Sequence, residues 1–171
     1  MADAKSWLAR YSGESVSELI ALESTHHLGS RVCVFEEAIQ QASFQRTNRG
    51  ETPFLNKVER TVLGVEAIER EVNNGGYKQF FQNSSCEFAS TIVEDLRGAD
   101  CTETAVLMQA AIDALGTTNL SQESIQRIIN ADDEARDRIL DDCDQAYYKN
   151  GEIIEQRLFE YIKANQSEIR L

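Results

Sequence analysis

The sequence has few residues that interrupt helices and none of the long apolar runs that cross membranes. Its 171 residues include one proline, Pro53, and nine glycines, so long helices are sterically allowed along most of the chain. No apolar run approaches the roughly 18 residues of a membrane span. The first residues, MADAKSWLARYSGE, lack the apolar segment of a signal peptide. We therefore expect a helical, cytoplasmic protein that does not associate with a membrane.

Cysteine and histidine are also sparse. The four cysteines are far apart in the sequence: Cys33, Cys86, Cys101 and Cys143. Because no two of them have the short spacing of a zinc site or a redox pair, we expect reduced thiols. The two histidines, His26 and His27, are adjacent, and adjacent side chains on a helix point about 100° apart. They are therefore poorly placed to bind one metal ion together, and we predict no metal site.

Motifs of catalysis are missing as well. The sequence contains no His-Glu-x-x-His, no phosphate-binding loop and no nucleophile elbow. The run DDCD at residues 141–144 lacks the central glycine and final glutamate of a calcium loop. The glutamates at 59, 66 and 69 lack the Glu-x-x-His pairs of a di-iron bundle. We predict that the protein is not an enzyme and has no cofactor.

Negative charge is plentiful and unevenly distributed. The formal net charge is −12. Residues 86–171 carry 18 acidic and 8 basic side chains, whereas residues 1–85 carry 11 and 9. This charge disfavours direct binding to nucleic acid or to an anionic membrane, and it favours a basic protein partner. The alternative interpretation is that the acidic residues serve solubility.

Apolar residues recur at helical spacing along nearly the whole chain. The clearest stripe is Val58, Val62, Val65, Ile68 and Val72. We predict a single all-α domain over residues 1–171, a multi-helix bundle with a loop at 45–53. Ser84 or Ser85, Thr102 and Ser121 are the predicted caps of three of its helices. The predicted helices span residues 15–25, 32–43, 56–72, 87–97, 102–115, 121–129, 134–148 and 153–165.

The stretch EVNNGGYKQFFQNSS, residues 71–85, fits neither a linker nor a plain amphipathic helix. Asn and Gly just past residue 72 are typical of a helix end. Three aromatic residues follow, and the surrounding amides could bond to the polar backbone groups that helix ends leave unpaired. We interpret the stretch as a hydrogen-bonded joint between helices. The alternative is a small-molecule pocket lined by these amides and aromatic rings.

This stretch, together with DQAYY at residues 144–148, resembles a bacterial all-helical family that was long catalogued as a domain of unknown function. The family includes DNA-mimic proteins. The resemblance covers about residues 55–165 and leaves the helices of residues 1–50 unmatched. It implies an acidic module that binds a basic DNA-binding protein, such as a transcription regulator or a nucleoid protein. The signature residues are Asn73, Asn74, Gly75, Gly76, Tyr77, Gln79, Phe80, Phe81, Asn83 and Ser84.

The segment DDEARDRILDDCD, residues 132–144, is the strongest local concentration of acidic residues. Asp133, Asp137 and Asp141 fall four apart, so on a helix their spacing is about 6 Å, comparable with that of phosphates along a DNA strand. We predict that this segment mimics DNA. The alternatives are a solvated acidic face, a small-molecule-binding domain and an enzyme of unrecognised type. The predicted partner-binding acids are Asp132, Asp133, Asp137, Asp141, Asp142 and Asp144.

Overall fold

The computed structural model describes residues 11–22, 28–51 and 54–171. In these ranges the chain forms helices and turns without a β-strand, which confirms the predicted all-α fold. Pro53, His26 and His27 lie outside the described residues. The helices are α1 (Val16–Ala21), α2 (Leu28–Asn48), α3 (Lys57–Gln82), α4 (Ile92–Gly98), α5 (Thr102–Asp113), α6 (Gln122–Ile129), α7 (Glu134–Asn150) and α8 (Ile154–Ala164).

Helix α3 is the central element of the fold. It packs against α2, α4, α6, α7 and α8. Its apolar stripe is the one that the sequence predicted, and Val62, Val65, Ile68 and Val72 are each fully buried. Because α3 is in contact with neighbours on several sides, its position fixes the arrangement of the other helices.

Several helix ends form as the sequence predicted. Ser15 and Asn56 each accept a bond from the backbone amide three residues on, and a glutamate at that position bonds back to the cap. Ser121 caps α6. Gly151 ends α7 in the left-handed conformation, with φ +71°. Short polar residues at N-caps and glycine at C-caps satisfy backbone groups locally, so sequence alone locates these ends.

The loop predicted at residues 45–53 is wrong over its first four residues, because α2 continues to Asn48. Arg46 lies in this last turn and stabilises it by binding residues that are distant in the sequence. Its guanidinium donates to the carbonyl of Arg170 at 2.9 Å and lies 3.5 Å from the buried Glu59 carboxylate. These partners are far away in sequence, and the polar composition of the segment gave no sign of them.

Two predicted N-caps are also wrong. The helix expected at residues 87–97 begins only at Ile92, after a 3₁₀ turn at Ser84–Phe88, and neither Ser84 nor Ser85 caps it. Thr102 is the first residue of α5 and not its cap. The amides at the start of α5 instead donate to Glu152, with the Thr104 amide 2.9 Å from its carboxylate. A carboxylate from another part of the chain thus performs the capping.

The C-terminal residues pack against the start of α3 through a buried carboxylate. Glu59 is fully buried. It accepts hydrogen bonds from the backbone amides of Asn56 and Arg170 and from the Arg170 guanidinium, the last at 2.6 Å. Burial alone would raise the pKa of Glu59, but these hydrogen bonds hold it below its usual value. The bonds therefore stabilise the charged form in the interior.

The four cysteines are free thiols, as predicted. Burial raises the pKa of the Cys101 thiol to about 12, with the Glu152 carboxylate adding to the effect. High thiol pKa values disfavour the reactive thiolate. Among the described helices, none has the length and apolar character needed to cross a bilayer.

Candidate functional site

Helix α3 is bent at the glycine pair of the stretch EVNNGGYKQFFQNSS. Gly75 and Gly76 have non-helical backbone angles, and helical structure resumes directly after them and runs to Gln82. The first helical segment of α3 therefore ends at the glycine pair, as predicted, and a second segment continues from it in a new direction. Gly76 has φ +77°, whereas Gly75 has φ −167°, which is extended backbone. Only Gly76 occupies the left-handed region that favours glycine.

Helix α7 supplies the groups that hold this bend. The Tyr77 amide donates to the Asp144 carboxylate at 2.7 Å, so Asp144 caps the second half of α3. The Tyr148 hydroxyl donates to the carbonyl of Val72 at 2.8 Å and so satisfies the end of the first half. A Cβ atom on Gly76 would lie 2.0 Å from Asp144 Oδ2. The capping carboxylate thus occupies the space that a side chain at position 76 would need.

A second carboxylate organises the chain after the bend. Glu71 accepts hydrogen bonds from Gln79, Asn83 and Ser85 at 2.7–2.8 Å. Burial would raise the pKa of Glu71, but the three bonds together hold it below its usual value. Of the amides predicted to bond to backbone groups at helix ends, Asn73 does so through the Glu69 carbonyl at 2.8 Å. Gln79 and Asn83 instead meet at the Glu71 carboxylate, a role that the sequence did not indicate.

The aromatic residues of the stretch belong to the core. Tyr77, Phe80 and Phe81 are each 0% exposed. Phe80 and Phe81 meet edge to face, as do Tyr77 and Tyr147 of α7. A ligand lined by these rings would have to displace them from the interior. The geometry therefore supports a structural joint at residues 73–85 and gives no support to a small-molecule pocket there.

The acidic segment at residues 132–144 divides into two groups. Three of its six predicted partner-binding acids have partners within the chain. Asp133 caps α7 through the amides of Ala135 and Arg136, and Asp137 pairs with Lys78 at 2.6 Å. Asp144 caps the bend. The predicted stripe of Asp133, Asp137 and Asp141 is thus divided: Asp133 caps its own helix, Asp137 pairs with Lys78 of α3, and Asp141 is exposed.

The other three predicted acids point away from the fold. Asp132, Asp141 and Asp142 are exposed, and none has an ion-pair or hydrogen-bond partner among the described residues. Glu134, in the first turn of α7, is exposed in the same way. Arg138 lies on this outer face as well and donates to the carbonyl of Glu134. We call Asp132, Glu134, Asp141 and Asp142 the outer acids.

A different cluster of carboxylates is buried between α2 and α3. Glu66 is only 5% exposed and pairs with Arg70 at 2.5 Å. Burial, reinforced by the neighbouring Glu36 carboxylate, raises the pKa of Glu66 to about 8. Burial and Glu155 likewise raise the pKa of Glu69 to about 7. Among the described residues, no group of acids, histidines and cysteines is arranged to bind a metal ion.

These observations define an acidic, all-helical protein whose bent central helix is held by carboxylates. Residues 54–165 match the family described as DMP19-like protein, and the chain belongs to this family. The match contains the whole of the bend and the whole of α7. The status of residues 73–76 as the family's signature stays a prediction. No curated protein matches the chain, and no solved structure does.

Proposed function

We propose that this protein is an acidic binding module that mimics DNA and occupies the DNA-binding surface of a basic protein. Membership of the DMP19-like family supports this function, because the family resemblance extends to DNA-mimic proteins. The net charge of −12 supports it too, since a chain of this charge repels nucleic acid and attracts basic surfaces.

The outer acids carry the proposal. Many carboxylates of this chain are already used inside the fold as caps or in ion pairs, and those cannot also bind a partner without loss of stability. The outer acids are exposed and unpaired among the described residues, so a partner can approach them without breaking a contact. The proposed partner-binding set therefore narrows to Asp132, Glu134, Asp141 and Asp142.

A rigid helix can present these charges effectively. Helix α7 is fixed against α3 by Asp144 and Tyr148, so its carboxylates keep constant positions relative to one another. Charges held in place before contact lose little conformational freedom on binding. Such a surface would raise the association rate of a basic partner, and this steering would weaken as salt is added.

The test is competition between this protein and DNA for one partner. The full chain captures DNA-binding proteins from the native lysate at low salt, and a captured protein is then titrated with the chain in the presence of its DNA. We compare D132N/D141N/D142N with E51Q/E94Q/E168Q. Both variants remove three negative charges from exposed side chains, but only the first removes them from the outer acids.

We expect the first variant to bind at least about tenfold more weakly, with a flatter salt dependence, and the second to bind nearly as the parent does. Arg138→Gln, which removes a positive charge from the same face, should strengthen binding. Equal losses in the two triple variants would show an effect of net charge alone. Binding that persists at saturating DNA would exclude mimicry.

A further inference from the structure

Arg136, in the first turn of α7, is buried although its side chain is charged. Only 3% of the residue is exposed. Its guanidinium donates to the carbonyls of Ile128 and Ala131 at 2.5 and 2.8 Å, and to the Asp137 carboxylate at 2.7 Å. A second bond to Asp137, from Nε at 2.9 Å, brings all three nitrogens of the guanidinium into use. The pairing with Asp137 compensates the buried charge, so the two carbonyls are what the side chain holds in place.

The two carbonyls belong to the end of α6 and to the turn that follows it. Ile128 lies in the last turn of α6, where carbonyls lack partners within the helix. Ala131 lies in the turn between α6 and α7, and its carbonyl is part of the planar peptide unit that leads into Asp132. On the other side, the Asp133 carboxylate accepts from the Arg136 amide at 3.0 Å. The backbone at Asp132 is therefore held from both sides.

Asp132 is the outer acid whose position depends on this turn. Glu134, Asp141 and Asp142 are residues of α7, so the helix itself sets their positions relative to one another. Asp132 precedes the helix, and its carboxylate has no hydrogen-bond or ion-pair partner among the described residues. Its position relative to the other three acids is therefore set by the groups that hold the turn.

We propose that Arg136 is a positioning residue of the partner-binding surface, and that it fixes Asp132 relative to the other outer acids before a partner arrives. This inference rests on the function proposed for the outer acids. A carboxylate that is already in place loses little conformational freedom on binding, whereas one on a loose turn must first be ordered. Arg136 is buried and reaches no partner itself, so its effect on binding passes through the turn.

The same side chain ties the turn to the bent helix α3. Asp137, which pairs with Arg136, also pairs with Lys78 at 2.6 Å, and Lys78 belongs to the part of α3 that follows the glycine bend. One network thus joins the end of α6, the turn, the start of α7 and α3. A substitution at Arg136 should therefore loosen the turn, while the rest of α7 stays packed against α3 through Asp144 and Tyr148.

R136K tests the effect on the turn without a partner. Lysine keeps the positive charge but replaces the planar fork of donors with a single ammonium group, which cannot bond to both carbonyls and the carboxylate in their present directions. In ¹⁵N relaxation of the full chain, the order parameter of the Asp132 amide should fall from about 0.85 to below about 0.6, with the amides of Asp141 and Asp142 unchanged. R127K alters an exposed arginine of α6 and should leave all three amides as they are.

Binding is measured with the DNA-binding protein that the competition with DNA identifies. R136K should weaken its binding about three- to tenfold. The slope of affinity against salt should stay unchanged, because no charge is removed and the same ion pairs form in the complex. D132N removes a charge and should flatten that slope. In the D132N background R136K should change affinity less than about twofold, whereas in the D141N background it should keep its full effect.

A131G is a second variant that leaves Arg136 and the net charge untouched. The side chain of Ala131 is exposed, and glycine adds conformational freedom to the turn without removing a contact of the core. We expect A131G to weaken binding about two- to threefold while Asp132 is present, and to have little effect in the D132N background. Because this change is mild, it serves if R136K does not fold.

Two results would overturn the proposal. The first is an equal loss from R136K in the D132N and D141N backgrounds, which would make Arg136 a determinant of overall stability. The second is an Asp132 amide that stays fully ordered in both R136K and A131G. A failure of the proposed function looks different, because D132N/D141N/D142N would then bind as the parent does, or binding would persist at saturating DNA. In that case the positioning role falls with the surface that it serves, even if Asp132 loses order in R136K.

Discussion

At the scale of single residues, the bend depends most on Gly76. Substituting alanine there would place a Cβ atom 2.0 Å from the Asp144 carboxylate and impose a positive φ on a residue that disfavours it. We expect Gly76→Ala to lower the free energy of unfolding by more than about 2 kcal/mol. Urea denaturation of the two proteins measures the difference.

Gly75→Ala is the matched control. Its φ of −167° suits any residue, and the added Cβ would meet the end of the flexible Gln79 side chain. We therefore expect a smaller loss, about 1 kcal/mol, which reflects disturbance of the bond between Gln79 and Glu71. If both variants unfold at the same urea concentration as the parent, the bend is not a stabilising joint.

The burial of Glu66 can be tested by measuring thermal stability as a function of pH. Its pKa is about 8 in the folded protein, above the ordinary value of about 4.3 in unfolded chains. The folded state therefore holds a proton that the unfolded state releases, so the stability that Glu66 contributes at low pH is lost as pH rises from about 4 to 8. Glu66→Gln keeps the neutral form at every pH. We expect it to raise Tm by several degrees at pH 8 and to change Tm little at pH 4.

The pH series needs a control for the loss of one charge from an acidic protein. Glu134→Gln removes an exposed, unpaired carboxylate, so its Tm profile should run parallel to that of the parent. A Glu66→Gln profile that is also parallel would contradict the raised pKa, and with it the burial of Glu66 as a protonated acid.

At the scale of helices, a side chain from one part of the chain caps a helix in another part. Asp144 caps the second half of α3 from a position 67 residues later in the chain, and Glu152 caps α5 from 48 residues away. Such caps satisfy the same backbone amides as a local serine or aspartate would. They also bind two helices together, so the loss of one cap loosens a helix pair.

Asp144→Ala measures this coupling. We expect a loss of about 1–2 kcal/mol in the free energy of unfolding, the usual range for a helix cap. Asp144→Asn should lose less, since its amide oxygen can still accept from Tyr77. Asp141→Ala, on the same helix but without a partner in the described structure, is the control and should be nearly neutral. Hydrogen exchange should show the amide of Tyr77 losing protection in Asp144→Ala alone.

The helices also show how far the sequence could be interpreted. Apolar spacing predicted α3 and its buried stripe, and Ser121 caps α6 as predicted, because these signals lie within a few residues. The prediction failed at residues 45–48 and at the start of α5. In both cases the deciding group, Arg170 or Glu152, comes from a distant part of the chain.

The candidate site was likewise predicted only in part from the sequence. Charge counting identified the acidic segment 132–144, and it correctly placed Asp132, Asp141 and Asp142 in solvent. It could not separate them from Asp137 and Asp144, because spacing along α7 does not reveal what the neighbouring helix presents. Asp133 is the N-cap of α7, a role that its place just before the helix could have indicated. Asp144 was predicted to bind a partner, and nothing in the DQAYY segment indicated that it caps a helix far away in the sequence.

At the scale of the whole molecule, the net charge of −12 overstates the negative charge that is free on the surface. Carboxylates such as Glu59, Glu71, Asp144 and Glu152 hold elements together, and they stay charged or hydrogen-bonded inside the fold. The acidic composition therefore serves two purposes, architecture and surface potential.

The contact between the C-terminal residues and α3 allows a test of whether a buried carboxylate stabilises the fold. Arg170→Ala would leave the buried Glu59 carboxylate with the more distant Arg46 as its remaining guanidinium partner. We expect a loss of about 2–3 kcal/mol in the free energy of unfolding at pH 7. Because the pKa of Glu59 is lowered in the folded state, its contribution is present above the unfolded pKa and is lost as pH falls through the folded one. The variant should therefore differ less from the parent at pH 3.

Arg49→Ala removes an arginine whose ion pair with Glu51 is exposed on both sides. We expect it to cost less than about 0.5 kcal/mol at either pH. An Arg170→Ala variant that behaves like Arg49→Ala in urea would show that the buried carboxylate is satisfied without the C-terminal residues.

The fit between Gly76 and Asp144 has a consequence for the history of the family. Any side chain at position 76 would occupy the place of the Asp144 carboxylate. A side chain at position 76 therefore requires a change at position 144 that removes the carboxylate from this space. An alignment of family members should show covariation between them, with glycine at 76 wherever aspartate stands at 144. If the two positions vary independently, relatives must hold the bend by another contact.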